Sequence, residues 1–286
     1  MKLKQKLSNK KWALKYEYAR YRYNNAVPFR YYLDENDFKK IANKYKHIEA
    51  KNAVDYSNDG QKLIAEQRCN FLQQITKRNK FESVCEIGIG SGNVLKGFLE
   101  LGVPNVYGVD IENRTKELDS RINFSLKGVH NMSHLADNSI DLLYSFDAFE
   151  HIPNIETAFD ECFRILKPGS IMYIKPCSPY LSPWAAHFYH ILRIPYAEVL
   201  FSDETLTEYA KSVNKEIPFI NRVPATRYFD YLKKLPSNAK LMSLNYDFDW
   251  YGTDLIIKYP EVFKAKQESF FDFFVSNIYI IIKKIG

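Results

Sequence analysis

At 286 residues, the chain is long enough to form one large α/β domain with insertions. Its hydrophobic content of 46% is that of a folded protein, which excludes a disordered tail. The most apolar stretch, residues 270–282, is too short to cross a bilayer and contains Asp272, so no transmembrane segment is expected. The start of the sequence lacks the apolar stretch of a signal peptide, and the four cysteines show no metal-ligand spacing, so we expect a cytoplasmic protein.

The first fifty residues combine positive charge with aromatic side chains. Residues 1–46 carry 13 Lys/Arg against 4 Asp/Glu, a balance of +9 in a chain whose net charge is +6. One helical face would hold Trp12, Tyr16, Ala19 and Tyr23, which predicts an N-terminal helical extension over residues 1–50, broken near Pro28. We favour a helix packed on the rest of the protein with its lysines in water. Binding of nucleic acid or of an anionic membrane surface remains open.

A glycine-rich turn follows the first predicted strand. An apolar run carrying Glu86 ends in Gly88, Gly90 and Gly92, and the apolar positions beyond the turn recur at helical spacing (Val94, Leu95, Phe98 and Leu99). Strand, turn and helix in this order let a nucleotide-like ligand lie against exposed backbone amides. Asn93 stands where the dinucleotide fingerprint needs glycine, and no Gly-Lys-Ser/Thr phosphate loop is present, so neither of those sites is expected.

The α/β alternation continues beyond this turn. Residues 106–110 read as a second strand ending in Asp110, and residues 139–145 read as a fourth strand. Residues 164–169 predict a helix end and a turn before a fifth strand at 171–174. Residues 240–248 and 276–283 predict strands six and seven. Between strands five and six, residues 178–239 are rich in proline and aromatics and predict a small helical lid.

The spacing Glu86-x-Gly88-x-Gly90-x-Gly92, with Asp110 some twenty residues on, resembles motif I of the class I S-adenosylmethionine-dependent methyltransferases. The resemblance covers roughly residues 60–177. It implies an α/β fold with a Rossmann-like seven-stranded mixed sheet, strand 7 antiparallel and helices on both faces, and S-adenosyl-L-methionine as the cofactor. We therefore expect a methyltransferase domain over residues 51–286, with the lid insertion at 178–239.

The same resemblance assigns cofactor-binding roles. The backbone would pass beside the methionine portion of the cofactor at Gly88, Gly90 and Gly92, with Glu86 near the ammonium group of the methionine. Asp110 would accept hydrogen bonds from the ribose hydroxyls. The remaining contacts would come from Ile111 against the adenine face, His130 or Asn131 in place of the family's usual adenine-binding acid, and Ser145 through its carbonyl near the methionine end.

Three residues are candidates for the base that deprotonates the acceptor: His187, which is the best placed by sequence, His151 and Glu150. His187 lies in the predicted lid, and a histidine near its ordinary pKa suits this task. A purely structural role, in which His187 lies in a helix and hydrogen-bonds to the backbone, is weighted equally. Asp147 with Glu150 and His151 also resembles the Glu-x-x-Glu-His metal motif of two smaller methyltransferase groups, but a structural role is favoured and no metal is predicted.

The sequence thus predicts methyl transfer to a hydroxyl oxygen of a small molecule, sugar or glycan precursor. Two alternatives stay open. The basic, aromatic N-terminus would suit an RNA methyltransferase, and the missing adenine acid would suit a catalytically inactive cofactor-binding partner subunit.

Overall fold

A computed structural model describes residues 2–47, 57–113, 118–185, 191–217 and 219–286. The chain divides into two compact units. Unit 1 comprises Met1–Lys51, Ser178–Arg227 and Tyr246–Asn277, and unit 2 comprises Asn52–Cys177, Tyr228–Asn245 and Ile278–Gly286. The boundary expected between residues 50 and 51 remains a prediction.

Seven strands form one sheet: β1 Ser83–Ile87, β2 Asn105–Asp110, β3 Ile122–Leu126, β4 Ile140–Phe146, β5 Leu166–Lys175, β6 Ala239–Phe248 and β7 Val275–Lys284. Their order is β3-β2-β1-β4-β5-β7-β6. The first five strands pair in parallel, and β7 pairs antiparallel with β5. The expected seven-stranded mixed sheet with an antiparallel seventh strand is confirmed. Because the order reverses between β1 and β4, a ligand site is expected at the carboxyl ends of these two strands.

Ten α-helices are formed by the described residues: α1 Lys2–Asn24, α2 Glu35–Tyr45, α3 Asn58–Thr76, α4 Asn93–Glu100, α5 Ile155–Ile165, α6 Ala197–Leu200, α7 Asp203–Ser212, α8 Ala225–Leu232, α9 Thr253–Lys258 and α10 Pro260–Ala265. The break expected near Pro28 lies between α1 and α2. Within the described part of the chain, no helix is both long and apolar enough to span a bilayer.

The core of unit 2 follows the apolar patterns of its strands and helices. Every residue of β1 is buried, as befits a strand with parallel neighbours on both sides. Helix α4 packs on β1 and β2 through the four apolar positions that the helical spacing predicted. The prediction of a helix end and a turn over residues 164–169 is wrong in part. The helix does end at Ile165, but β5 begins directly at Leu166 and includes Gly169, whose φ is 82°.

The core of unit 1 is aromatic. On α1, Tyr16 lies with its ring centroid 5.4 Å from Trp250 and 5.0 Å from Phe274, and Tyr23 lies 5.9 Å from Phe273. Ala19 is fully buried between these two tyrosines along the helix. The residues predicted as a helical lid do contain α6, α7 and α8, while their position over a cofactor remains a prediction.

Candidate functional site

The turn between β1 and α4 is built on three glycines in the left-handed region. Gly88, Gly90 and Gly92 have φ values of 76°, 51° and 71°. Gly88 donates its N–H to the carbonyl of Val109 at 2.8 Å, which ties the turn to the end of β2. A Cβ on Gly88 would lie 2.3 Å from the Cβ of Ala148, so only glycine fits this close approach.

Asp110 lies beside this turn, at the end of β2. The parallel register aligns Ile87 with Val109, so Gly88 and Asp110 follow at neighbouring strand ends. One oxygen of the Asp110 carboxylate accepts from the Gly90 amide at 3.4 Å, and the other accepts from the Glu112 amide at 3.1 Å. A Cβ on Gly90 would have no described atom within 4 Å. The turn therefore presents open space next to a carboxylate.

Glu86 is a buried acid inside β1, with 2% of its surface exposed. The hydroxyl of Tyr144 on β4 donates to its carboxylate at 3.3 Å. Burial raises the pKa of Glu86 to about 8, against the lowering effect of the Arg68 charge. A cation close to this carboxyl group would favour its ionised form.

The remaining predicted cofactor residues differ in exposure. Ile111 follows Asp110 and is 65% exposed, so its side chain offers an uncovered apolar surface. His130 and Asn131 are exposed in the turn after β3, where the Asn131 amide donates to the carbonyl of Gly128 at 2.9 Å. Ser145 is fully buried, and its hydroxyl donates to the carbonyl of Ile87 at 2.9 Å, which links β4 to β1.

A cluster of three charged side chains lies where β4 and β5 end: Asp147, Arg68 and Lys175. Asp147 adopts a left-handed φ of 55°, and its amide donates to the carbonyl of Lys175 at 2.9 Å. Its carboxylate pairs with the guanidinium of Arg68 at 2.8 Å and with the ammonium of Lys175. The Arg68 guanidinium also lies 4.3 Å from the ring centroid of Phe146. These two cations hold the loop after β4 in place.

Glu150 lies in the 3₁₀ turn Phe149–His151 that follows. It is 2% exposed, and burial together with the nearby Asp147 charge raises its pKa to about 8. Asp147, Glu150 and Cys177 bring their potential ligand atoms within 4.8 Å of one another. This donor set could accept a metal ion, but Arg68 and Lys175 already balance the charge of Asp147.

The three predicted bases are not all described. Glu150 and His151 lie in the same turn, with the His151 amide donating to the carbonyl of Ala148 at 2.9 Å. His187 falls within residues 186–190, which lie outside the described residues. Its predicted role in a lid therefore remains a prediction.

Sequence reasoning missed four residues of this site: Arg68, Tyr144, Lys175 and Cys177. Tyr144 and Lys175 could have been predicted from the sequence. They lie in β4 and at the end of β5, where side chains can reach the carboxyl edge of the sheet. Arg68 comes from α3, before the first strand, and Cys177 from the segment after β5. Neither position belongs to a recognisable motif.

An open glycine turn beside Asp110, at the carboxyl edge of parallel strands, is typical of a site for a nucleotide-like cofactor. A family model described as "Methyltransferase domain" matches residues 85–174, from β1 to β5. Residues 85–174 therefore form a methyltransferase domain, as the resemblance to the class I S-adenosylmethionine-dependent methyltransferases implied. The sequence-based assignment of the family and of its cofactor, S-adenosyl-L-methionine, is confirmed.

Individual curated relatives match about a third of the chain. Phosphoethanolamine N-methyltransferase 2 of Caenorhabditis elegans is 31% identical over 103 residues, which cover 32% of this chain and 23% of the relative. Sterol 24-C-methyltransferase erg6 of Aspergillus fumigatus is 31% identical over 98 residues, covering 31% and 26%. Among solved structures, the YcgJ protein from Bacillus subtilis has 16% identity and a TM-score of 0.47, covering 77% of this chain and 100% of that chain. The chain thus spans about a quarter of the length of these curated relatives.

Proposed function

We propose that this protein transfers the methyl group of S-adenosyl-L-methionine to a hydroxyl oxygen of a small molecule, sugar or glycan precursor. One observation carries the proposal. Two acids lie at the carboxyl edge of the sheet. Asp110 is partly buried beside the open glycine turn, and Glu150 is buried in the turn that follows β4. The first suits a cofactor with ribose hydroxyls, and the second suits removal of a proton from an acceptor.

The residues around the glycine turn fit the cofactor. The backbone at Gly90 is accessible, because a Cβ there would meet no described atom within 4 Å, and a ligand can lie beside the turn at this point. Asp110 would accept from both ribose hydroxyls, since a carboxylate offers two acceptor oxygens. Glu86 would compensate the charge of the methionine ammonium. When bound, the cofactor supplies a methyl group already activated on a sulfonium.

The adenine would lie further along the same edge. Ile111 would pack its exposed side chain against one face of the ring. His130 and Asn131 would offer polar groups to its edge, because both are exposed in the turn after β3. The carbonyl of Ser145 would bound the methionine end of the site.

Glu150 is our preferred base among the described candidates. A base works best when its pKa lies near the operating pH, and burial brings the pKa of this carboxyl group to about 8. Its ionised form would accept the hydroxyl proton as oxygen attacks the methyl carbon. His151 in the same turn and His187 in the segment after β5 remain alternative bases.

The chemical class of the methyl acceptor distinguishes this proposal from its alternatives. The matched relatives are named for a nitrogen acceptor, phosphoethanolamine, and for a carbon acceptor, a sterol. An RNA acceptor has independent motivation in the +9 balance of residues 1–46.

A cytoplasmic location also belongs to the proposal, supported by four cysteines that are all free thiols.

The test is transfer of a labelled methyl group by the purified chain to four separate acceptor pools: hydroxylated small molecules and sugars, amines including phosphoethanolamine, sterols, and RNA. We expect label in the first pool, in an alkali-stable ether. Glu150→Gln should lower that turnover by about 10²–10⁴-fold, while the exposed control Glu66→Gln should leave it unchanged. Label confined to nitrogen, carbon or RNA would reject oxygen transfer, and cofactor binding with no transfer to any pool would favour an inactive subunit.

A further inference from the structure

Helix α1 has two apolar faces, and only one of them is buried. Tyr16, Ala19 and Tyr23 form the inner face, which packs into the aromatic core of unit 1. Leu14, Tyr18 and Tyr21 are four and three residues apart and so share another face. Their side chains are exposed, with Leu14 at 72% and Tyr21 at 62%.

The apolar exposure continues beyond the end of α1. In the segment between α1 and α2, Val27 is 75% exposed, Phe29 is 73% exposed and Tyr31 is 52% exposed. A groove of about 420 Å³ lies beside them, bounded by Tyr21, Phe29 and Pro260 among others. We call the six exposed residues the N-terminal stripe: Leu14, Tyr18, Tyr21, Val27, Phe29 and Tyr31. Tyr21, Val27 and Phe29 line this groove together, and a contiguous exposed apolar patch marks an interaction site more often than scattered exposed residues do.

The stripe lies in strongly basic surroundings. The α1 sequence holds eight Lys/Arg residues, and its one acidic residue, Glu17, pairs with Arg20 at 2.6 Å. Lys15 and Arg22 stand on the helix between the inner face and the stripe. Glu261, the acid that lines the groove, pairs with Arg30 at 2.8 Å. The balance of charge around the exposed aromatics is therefore positive, and the partner should be negatively charged and able to accept apolar side chains.

We propose that the N-terminal stripe docks on an anionic phospholipid surface. Tyrosine rings suit the boundary between headgroups and acyl chains, and lysine and arginine attract anionic headgroups. A lipid surface fits better than nucleic acid because Leu14 and Val27 are aliphatic. Such side chains gain from entering an acyl layer but offer no ring for a base to stack on. The proposal depends only on unit 1 and holds whatever the methyl acceptor is.

The test is sedimentation of the full chain with vesicles of phosphatidylcholine alone and of equal parts phosphatidylcholine and phosphatidylglycerol. We expect binding to the anionic vesicles and little to the neutral ones. The triple variant Leu14→Ser, Tyr18→Ser, Tyr21→Ser should lower the partition coefficient at least about tenfold. Neutralising Lys15 and Arg22 to Gln should lower it about fivefold for each charge removed.

A matched control removes exposed apolar side chains of unit 1 outside the stripe. Val213→Ser with Phe219→Ser changes residues that are 42% and 59% exposed, and binding should be unchanged. Circular dichroism should be the same for all variants, because every substituted apolar side chain is exposed. Equal partitioning of the triple variant and the unsubstituted chain would overturn the proposal, as would tighter binding to a uridine oligonucleotide than to the anionic vesicles.

Discussion

Two glycines of one turn should respond very differently to the same substitution. Gly88 and Gly90 both have left-handed φ values, 76° and 51°. A Cβ on Gly88 would lie 2.3 Å from the Cβ of Ala148, whereas a Cβ on Gly90 would meet no described atom within 4 Å. We therefore expect Gly88→Ala to lower the free energy of unfolding far more than Gly90→Ala.

The magnitudes follow from the two separate costs. A left-handed backbone costs a residue with a Cβ about 1–2 kcal/mol, and both variants bear this cost. Only Gly88→Ala adds a steric overlap, and forcing an extra carbon into a filled space costs about 1–3 kcal/mol. The expected losses of unfolding free energy are thus about 1–2 kcal/mol for Gly90→Ala and about 2–5 kcal/mol for Gly88→Ala.

Urea denaturation at equilibrium measures this difference, and a double-mutant cycle assigns its cause. Ala148→Gly removes the atom with which the new Cβ would overlap, since the Ala148 Cα lies at an ordinary 3.7 Å. The double variant Gly88→Ala, Ala148→Gly should therefore recover the overlap cost, leaving the two single-variant losses non-additive. Additive losses, or equal stability of Gly88→Ala and Gly90→Ala, would refute the steric reasoning.

Three further outcomes are expected. Asp110→Ala should weaken S-adenosyl-L-methionine binding by about 1–3 kcal/mol in calorimetry, and unchanged affinity would remove Asp110 from the ribose site. Burial raises the pKa of Glu86 and Glu150 from 4.5 to about 8, so the folded state keeps protons that the unfolded chain has lost. The unfolding free energy should fall from about pH 4.5 to 8, by up to about 1.4 kcal/mol per pH unit and group, and a pH-independent value would contradict this burial. Exhaustive chelation should leave turnover unchanged because Arg68 already pairs with Asp147, and loss of turnover restored by a divalent cation would establish a metal site.

The parts of the fold that are local in sequence could be predicted. The glycine turn and the apolar face of α4 depend on residues within twenty positions, and the sequence pattern was sufficient for both. The antiparallel direction of the seventh strand followed from the family resemblance. These elements then brought Glu86 and Asp110 to neighbouring strands, as expected.

The charged group after β4 could not be predicted, because its members come from distant elements. Arg68 precedes β1 and Lys175 ends β5, and only the folded sheet brings both to Asp147. The α1 helix shows a related limit. Trp12, Tyr16, Ala19 and Tyr23 predicted its inner face, but the tyrosines of its outer face look the same in sequence and differ only in what covers them.

The place of β7 in the sheet has a consequence for how the protein is made. β7 lies between β5 and β6, although it is the last strand in the chain. While a ribosome is still translating the residues before Val275, β5 therefore has an unpaired edge and β6 has no neighbouring strand. Unpaired strand edges can pair with other chains, so we expect the nascent protein to be most prone to aggregation before Val275–Lys284 has been synthesised.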